Sequence, residues 1–333
     1  MAAILTMHAA PQTTNPFDLE QDAGYQRWRA RKLAQQPRSV AELTVEVADP
    51  RALTPAKRSA LLDLLARANM ALYRSPAIEA DKSLPRLLAA QLGMQQLDAN
   101  WLSDEDGISS IAISKGRPPT ALRAGPPEGE CPPWGGPAPG THDGRGSFIP
   151  YTDRAIRWHT DGYYHPDERR ICGMVLHCVR PARSGGVNAL LDPELAYIAL
   201  RDADPAHIRA LMQPTAMTIP AREDDDGVAR AAQTGPVFAV NADGSLHMRY
   251  TARTRSIEWA ADDATRAAVT ALQSLLGSAA PGILRTRLEP GMGLVSHNVL
   301  HDRSAFEDDP GHPRLLYRAR FLDRATPPAS QVG

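Results

Sequence analysis

The sequence predicts a mainly β fold with flanking α-helices, in which short strands build a closed or double-sheet architecture. Three observations predict it. After about residue 146 the chain consists of short β-rich segments separated by turn signals such as NADG and EPGMG. Before about residue 110, apolar residues recur at helical spacing. Between them lies a segment dense in proline and glycine, as expected of a loop.

The length of 333 residues allows one large domain or two small ones, and we expect one. Residues 1–16 show no periodicity and are expected to be a mobile tail. Residues 17–330 are expected to form a single domain that begins with a helical region over 17–110. The loop at 116–146 is either an active-site lid or a disordered insertion, and its composition fits both.

The helical region contains three predicted helices. The first is amphipathic and runs from Pro16 to about Gln36. The second begins after Thr54, a good N-cap, and its apolar spacing continues to Leu72. The third covers Leu84 to Leu92, where leucines recur at intervals of three and four residues.

The second half of the chain is predicted to be strand-rich. The expected strands lie in RAIRWHTD, ICGMVLHCV, TAMTI, VFAV, LHMRY, ILRTRL, GLVSHNVLH and RLLYRARFL. Two further helices are expected, from Pro193 to Arg201 and from Asp263 to Leu276.

The composition argues against several classes of partner. The formal net charge of −1 indicates neither nucleic-acid binding nor an anionic membrane surface. Cys131, Cys172 and Cys178 form no CxxC pair, which favours a reducing cytoplasm over a disulfide framework. No apolar run is long enough for a membrane span or a signal sequence. We expect a cytoplasmic protein with a small-molecule substrate. The sequence does not define its oligomeric state, and a homo-oligomer is one possibility.

The segment RWHTDG carries the strongest chemical signal. On a strand, His159 and Asp161 project to the same face because alternate residues do so. His301, on a predicted strand near the C-terminus, is the natural third ligand. Two histidines and one carboxylate form the facial triad of non-haem iron(II) oxygenases. The alternative is that His159 is an ordinary hydrogen-bonded histidine.

The final predicted strand, RLLYRAR, places Arg314, Arg318 and Arg320 on one face. If the opposite face packs on the outer helices, these guanidinium groups point inward, which is costly unless anions meet them. A dicarboxylate co-substrate would supply one such anion, and a guanidinium has the shape to bind it. The alternative is a solvated edge strand with its arginines in water.

Taken together, WHTDGYY, LHCVRPARSGGVNALLDP and the HDRSAF…RLLYRARF ending resemble the TauD/TfdA superfamily of iron(II)/2-oxoglutarate-dependent dioxygenases, to whose fold clavaminate synthase is related. The resemblance covers roughly residues 146 to 322. It implies a double-stranded β-helix, or jelly roll. It also implies an oxidoreductase that hydroxylates a small, acidic or amino-acid-like molecule and releases succinate and CO2.

The resemblance implies specific roles for five residues. His159, Asp161 and His301 would bind Fe(2+), and Arg314 would bind the far carboxylate of 2-oxoglutarate. O2 is the third reactant. Asn188 stands in the GGVN turn where relatives usually have a threonine whose hydroxyl helps to bind 2-oxoglutarate, and its amide can donate a hydrogen bond instead. Because Asp161 is intact, the resemblance favours hydroxylation over halogenation.

The residues that would bind the primary substrate are less well defined. By resemblance, Arg318 is a position that contacts acidic substrates. Tyr163 either faces the pocket or packs against the wall of the fold. Arg249 either binds an anionic group or lies on a solvated hairpin. His297 is a substitute ligand, a neighbour of the ligands or a core residue. His165 and His177 are expected to be structural.

Two other classes of protein remain open at this point. One is a cupin-type zinc or iron enzyme that does not use 2-oxoglutarate, although the sequence lacks the HxH motifs usual in such sites. The other is a non-catalytic metal-binding relative, although such proteins generally lose a ligand and all three candidates are present here.

Overall fold

The computed structural model describes residues 15–99, 103–113, 148–224, 227–253 and 257–326. The predicted loop at 116–146, Cys131 and most of the predicted tail therefore lie outside the described residues. At the boundary of the predicted tail, the carbonyl of Pro16 accepts a hydrogen bond of 3.0 Å from Arg201, and for the residues before it the tail stays a prediction.

Seven α-helices occur in the described ranges: α1 Asp22–Gln35, α2 Val40–Leu43, α3 Pro55–Ala68, α4 Leu84–Gln91, α5 Pro193–Ala203, α6 Pro205–Leu211 and α7 Asp263–Gly277. The predicted N-cap of α3 is confirmed, since the Thr54 side chain accepts a hydrogen bond from the amide of Lys57. None of the helices in these ranges is both long and apolar enough to cross a bilayer.

The described strands are β1 Thr44–Glu46, β2 Met70–Arg74, β3 Ser109–Ile111, β4 Ile156–His159, β5 Gly173–Arg180, β6 Ser184–Gly185, β7 Asn188–Leu191, β8 Met217–Ile219, β9 Arg222–Asp224, β10 Gly227–Arg230, β11 Gln233–Gly235, β12 Phe238–Val240, β13 Leu246–Met248, β14 Glu258–Trp259, β15 Leu284–Thr286, β16 Met292–Ser296, β17 Leu300–Arg303, β18 Phe306–Glu307 and β19 Leu315–Phe321. Each segment predicted to be a strand contains one.

Two sheets dominate the fold. The larger has the strand order β1-β2-β16-β5-β19-β3, and the smaller has the order β15-β7-β17-β4. Apart from the parallel β1–β2 pair, their neighbouring strands are antiparallel. The sheets face each other, because Arg318 on β19 of the larger sheet contacts Asp161, which follows β4 of the smaller. This is the predicted jelly-roll arrangement.

Each sheet has its own apolar core on its outer face. Helices α3 and α4 cover the larger sheet, with Leu65 and Leu88 packed in one cluster with Val175 of β5. Helices α5, α6 and α7 lie in a second cluster with Trp158 of β4 and Leu300 of β17. Because both outer faces are buried by helices, the inner faces remain available for polar side chains and a site.

Two predicted elements end earlier than their sequence pattern indicates. The periodicity of α3 continues to Leu72, but the helix ends at Ala68 because Asn69 adopts a left-handed conformation with φ of 56°. The next residues form β2, which pairs with β16. Likewise, GLVSHNVLH is not one strand, since Asn298, also at φ 56°, separates β16 from β17. Long-range strand pairing overrides local periodicity at both positions.

Candidate metal centre and co-substrate pocket

Two adjacent strands of the smaller sheet carry the candidate ligands. His159 ends β4 and is the direct antiparallel partner of His301 on β17. Asp161 follows two residues after His159, and one ligand atom from each of the three residues lies within 4.8 Å of the others. The structure thus brings together all three side chains that the sequence singled out.

The alternation of side chains along β4 places His159 on the inner face. Trp158 points the other way into the apolar core and donates a hydrogen bond of 3.0 Å from its indole to the carbonyl of Leu276. Thr160 is fully buried, and its hydroxyl accepts a hydrogen bond from the amide of Tyr250. These contacts hold the backbone on both sides of His159.

Both histidine rings are oriented by backbone carbonyls. Nδ1 of His159 lies 2.9 Å from the carbonyl oxygen of Arg157, and Nδ1 of His301 lies 2.9 Å from that of Val299. A carbonyl oxygen can only accept, so each Nδ1 carries the proton and each Nε2 keeps a free lone pair. Hydrogen bonding of the second ring nitrogen is typical of metal-binding histidines.

The protonation states also suit a metal. Burial and the neighbouring His301 lower the pKa of His159 to about 3, so its ring is neutral near pH 7. Burial alone would raise the pKa of Asp161, but the charges of Arg318 and Arg320 outweigh it and hold that pKa well below its usual range. A neutral imidazole and an ionised carboxylate are ligand forms that bind a divalent cation.

One oxygen of the carboxylate is buried without a hydrogen bond. Oδ1 of Asp161 accepts from Nη1 of Arg318 at 3.3 Å, whereas Oδ2 lies 3.2 Å from the same Nη1 without a hydrogen bond among the described residues. The two oxygens thus share one guanidinium donor and keep lone pairs for a further partner. A buried carboxylate beside two imidazole lone pairs is a donor set that fits a metal ion such as Fe(2+).

The three arginines predicted to face inward are all buried, so the solvated-edge alternative is wrong. Two of them have carboxylate partners. Nη2 of Arg320 lies 2.7 Å from Asp98, and Nη1 of Arg318 lies 3.2 Å from Asp161. Arg314 makes no ion pair and no side-chain hydrogen bond within the described residues, although it is only 5% exposed. It is therefore the inward arginine whose charge lacks an anion.

Arg314 lines a small cavity between the two sheets. Asn188, at the start of β7, lines the same cavity, as do Gly185 and Gly186. Both glycines have positive φ, 72° and 69°, so this turn requires residues without a Cβ. The guanidinium lies over the ring of Phe306 at 5.0 Å, and burial lowers its pKa to about 10, so it remains charged at neutral pH.

Several predicted substrate residues have other contacts. The Arg249 guanidinium donates to the carbonyls of Met217, Gln233 and Gly235 at 2.6, 3.3 and 3.2 Å. It is buried and holds β8 and β11, so the solvated-hairpin interpretation of Arg249 is wrong, and its role toward an anionic group stays a prediction. Tyr163 packs against the second core and edge-on against Tyr164.

His297 and His177 have partners other than the three candidate ligands. His297 is half-buried, and its Nδ1 lies 3.1 Å from the side-chain oxygen of Asn69 and 2.7 Å from Arg324. Because Asn298 breaks the strand after it, His297 does not share a face with His301. His177 lies 2.9 Å from the hydroxyl of Tyr73, as expected for a structural histidine.

Three residues that support the site were not predicted from the sequence. Asn298 holds the backbone of Asp161 through its side-chain amide. Arg303 donates to the carbonyls of residues 150, 152 and 154, which lead into β4. Asp98 neutralises Arg320 from 222 positions away along the chain. The sequence contained a signal for one of the three, Arg303, which ends the HDR motif.

A mononuclear metal centre with two histidines and one carboxylate, set between the sheets of a jelly roll, is the class of site that this geometry defines. The sequence model of the protein family "Taurine catabolism dioxygenase TauD, TfdA family" matches residues 135–320, which is more than half of the chain. The chain belongs to this family.

Two curated relatives match at 33% identity. One is a uridine-5'-phosphate dioxygenase of an Amycolatopsis species, matched over 171 residues, 50% of this chain and 60% of the relative. The other is a uridine-5'-phosphate dioxygenase of a Streptomyces species, matched over 195 residues, 54% of this chain and 66% of the relative. The chain thus spans slightly less than two thirds of these relatives.

Solved structures confirm the fold. AAD-2 in complex with Mn(II) and N-oxalylglycine gives a TM-score of 0.56 at 13% identity, covering 87% of this chain and 97% of that one. Asparagine oxygenase with Fe(II), 2S,3S-3-hydroxyasparagine and succinate gives 0.55 at 15%, covering 82% and 81%. The non-haem iron oxygenase OrfP with Fe and alpha-ketoglutaric acid gives 0.54 at 16%, covering 94% and 92%.

Proposed function

We propose that this protein is an Fe(II)- and 2-oxoglutarate-dependent dioxygenase that hydroxylates a small anionic molecule. The observation that carries the proposal is the pairing of two features. One is the group of His159, Asp161 and His301, and the other is Arg314, a buried guanidinium that makes no ion pair with any residue that the structure describes. A metal centre alone fits many enzymes, but a metal centre combined with a buried, unpaired arginine four residues before Arg318, which contacts Asp161, fits a chelating dicarboxylate.

In this proposal the residues divide into two groups. His159, Asp161 and His301 hold Fe(2+), which supplies the activation of dioxygen when bound. Arg314 binds the far carboxylate of 2-oxoglutarate, and Asn188, in the same cavity, donates the hydrogen bond that relatives obtain from threonine. The reaction consumes substrate, 2-oxoglutarate and O2, and yields hydroxylated substrate, succinate and CO2.

Arg318 and the fold serve the substrate. The Arg318 guanidinium lies beside Asp161 on the inner face of β19, where its charge favours an anionic group near the metal centre. The two helix-covered sheets exclude water from the reacting carbon. We propose that residues 17–330 form the single catalytic domain that provides this enclosure.

The curated relatives direct the search for a substrate. Both are named for action on uridine 5'-phosphate, whose phosphate is an anion that Arg318 can bind. A nucleoside 5'-phosphate is therefore the first compound to test. Small acidic and amino-acid compounds follow, in keeping with the prediction from sequence.

The test is an anaerobic titration of Fe(II)-loaded protein with 2-oxoglutarate, followed by the weak visible metal-to-ligand charge-transfer band. We expect a band that is absent in Asp161→Ala and appears only at higher 2-oxoglutarate concentration in Arg314→Ala. Iron binding without any band would exclude 2-oxoglutarate and favour a metalloprotein of another class. Succinate release that depends on a nucleoside phosphate would then identify the substrate class.

A further inference from the structure

Asn298 is a buried asparagine in a left-handed conformation, and its side chain contacts the backbone of a candidate metal ligand. Its side-chain oxygen accepts from the amide of Asp161 at 2.7 Å, and its Nδ2 donates to the carbonyl of Asp161 at 2.9 Å. The same Nδ2 donates to the carbonyl of Ile171 at 2.8 Å. Only 3% of the residue is exposed.

Asp161 depends on these contacts because it lies outside the sheet. β4 ends at His159, and Gly162 after Asp161 has φ of 66°, so the chain turns away there. Among the described residues, Asn298 supplies the hydrogen-bond partners of both backbone polar groups of Asp161. The side chain of Asn298 thus replaces the neighbouring strand that a ligand within a sheet would have.

The same short segment also orients a second ligand. The carbonyl of Val299, the next residue, accepts the hydrogen bond from Nδ1 of His301. On its other side the segment is held by the residue that follows α3, because the amide of His297 donates to the carbonyl of Asn69 at 2.8 Å. Residues 297–299 therefore link the positions of Asp161 and His301.

We propose that Asn298 is a positioning residue, which sets the separation of the Asp161 carboxylate from the two imidazoles and so sets the affinity of the site for a divalent metal. This inference rests on the proposed function only in taking these three residues as the metal ligands. Groups that hold ligands in this way typically contribute 10–100-fold to metal affinity.

The chain offers a closely matched control. Asn69 is also a buried asparagine with φ of 56°, and its Nδ2 donates to Asp192 at 2.9 Å. Its side chain hydrogen-bonds none of the three ligands, and within residues 297–299 it contacts only the ring of His297, while its carbonyl, which glycine keeps, accepts from the His297 amide. Glycine tolerates the left-handed conformation, so Asn298→Gly and Asn69→Gly each remove one amide without forcing the backbone to change.

The experiment measures the affinity of the full chain for Co(II), by anaerobic chelator competition, in the wild type and both variants. Thermal unfolding of the metal-free proteins is measured in parallel. We expect Asn298→Gly to bind Co(II) about 10–100-fold more weakly and to shift its d–d absorption. Asn69→Gly should lose thermal stability but keep the affinity and the spectrum of the wild type.

Equal affinities of Asn298→Gly and wild type would overturn the inference, as would an equal loss in both glycine variants. If Asn298→Gly does not fold, Asn298→Asp replaces it, because this variant keeps the acceptor and the volume and loses both donors. Unchanged affinity in Asn298→Asp would likewise overturn the inference. A wild type that binds no Co(II), or binds it equally well as Asp161→Ala, would instead refute the proposed metal site.

Discussion

His159 and His301 face each other as direct partners across the antiparallel β4–β17 pair, with ring centroids 4.2 Å apart. A shift of one residue in this register would turn one of the two rings to the opposite face of the sheet. The third ligand, Asp161, comes from the turn after β4. The site therefore combines a pair set by strand register with a carboxylate set by side-chain hydrogen bonds.

His301→Ala should abolish tight metal binding. Because the variant removes one of three donors, we expect the affinity for Fe(II) or Co(II) to fall by more than about 100-fold, beyond the usual effect of a supporting residue. His312→Ala is the control, since His312 is exposed. Equal affinities in the two variants, measured by chelator competition, would mean that His301 is not a ligand.

Metal binding should also stabilise the fold. A metal that binds only the folded state at 100 times its Kd adds about 2.7 kcal/mol to the free energy of unfolding. We expect Co(II) to raise the Tm of the wild type, and a chelator to reverse the rise. The Tm of Asp161→Ala should not respond to Co(II), and a rise equal to that of the wild type would place the metal elsewhere.

Arg314→Met should weaken 2-oxoglutarate binding by about 100-fold, because two charge-assisted hydrogen bonds to a carboxylate are lost. The 2-oxoglutarate affinity of Arg314→Lys should lie between those of the wild type and Arg314→Met, since a lysine keeps the charge but not the planar pair of donors. The measurement is the anaerobic titration of the charge-transfer band. Arg183→Met is the control, because Arg183 is exposed and paired with Glu307. A similar loss of 2-oxoglutarate affinity in both arginine-to-methionine variants would mean that Arg314 does not bind the co-substrate.

Arg249→Met should destabilise the protein without affecting catalysis. The substitution leaves the carbonyls of Met217, Gln233 and Gly235 without their buried donor. We expect a loss of about 3 kcal/mol in the free energy of unfolding, measured with urea. The KM for the substrate of the folded enzyme should stay the same. Unchanged stability with a raised KM would restore a role for Arg249 in substrate binding.

His177 should make the protein less stable in acid. Burial lowers the pKa of His177 from its ordinary 6.5 to about 4. Between these two values the unfolded state binds a proton that the folded state does not bind, so stability is lost as the pH falls from about 6.5 to about 4. The loss attributable to this group is about 3 kcal/mol over that range.

His177→Gln tests this dependence, because glutamine does not titrate. The free energy of unfolding of wild type and variant is measured from pH 7 to pH 4. The wild type should lose more stability than the variant over this interval, and the difference between them should develop below about pH 6.5. Parallel curves would show that His177 contributes nothing to the acid sensitivity.

Much of the candidate site follows from local sequence. Alternation along a strand places His159 inward and Trp158 outward, and the same rule places Arg318 and Arg320 on the inner face of β19, with Arg314 buried directly before the strand begins. The cap at Thr54 likewise depends on groups a few residues apart. Such features are predictable because the residues concerned lie within a few positions of each other along the chain, and few backbone geometries are available to them.

What the tertiary structure decided is the partner of each group. Nothing near Arg320 in the sequence indicates Asp98, and nothing near Asp161 indicates Asn298, yet both contacts form. Met70 follows a helical pattern, but pairing with β16 draws it into a strand. Residue type and spacing determined the ligands and the inward arginines. Which arginine would lack an anion depended on carboxylates brought close by folding, because charge balance is a property of space and not of order along the chain.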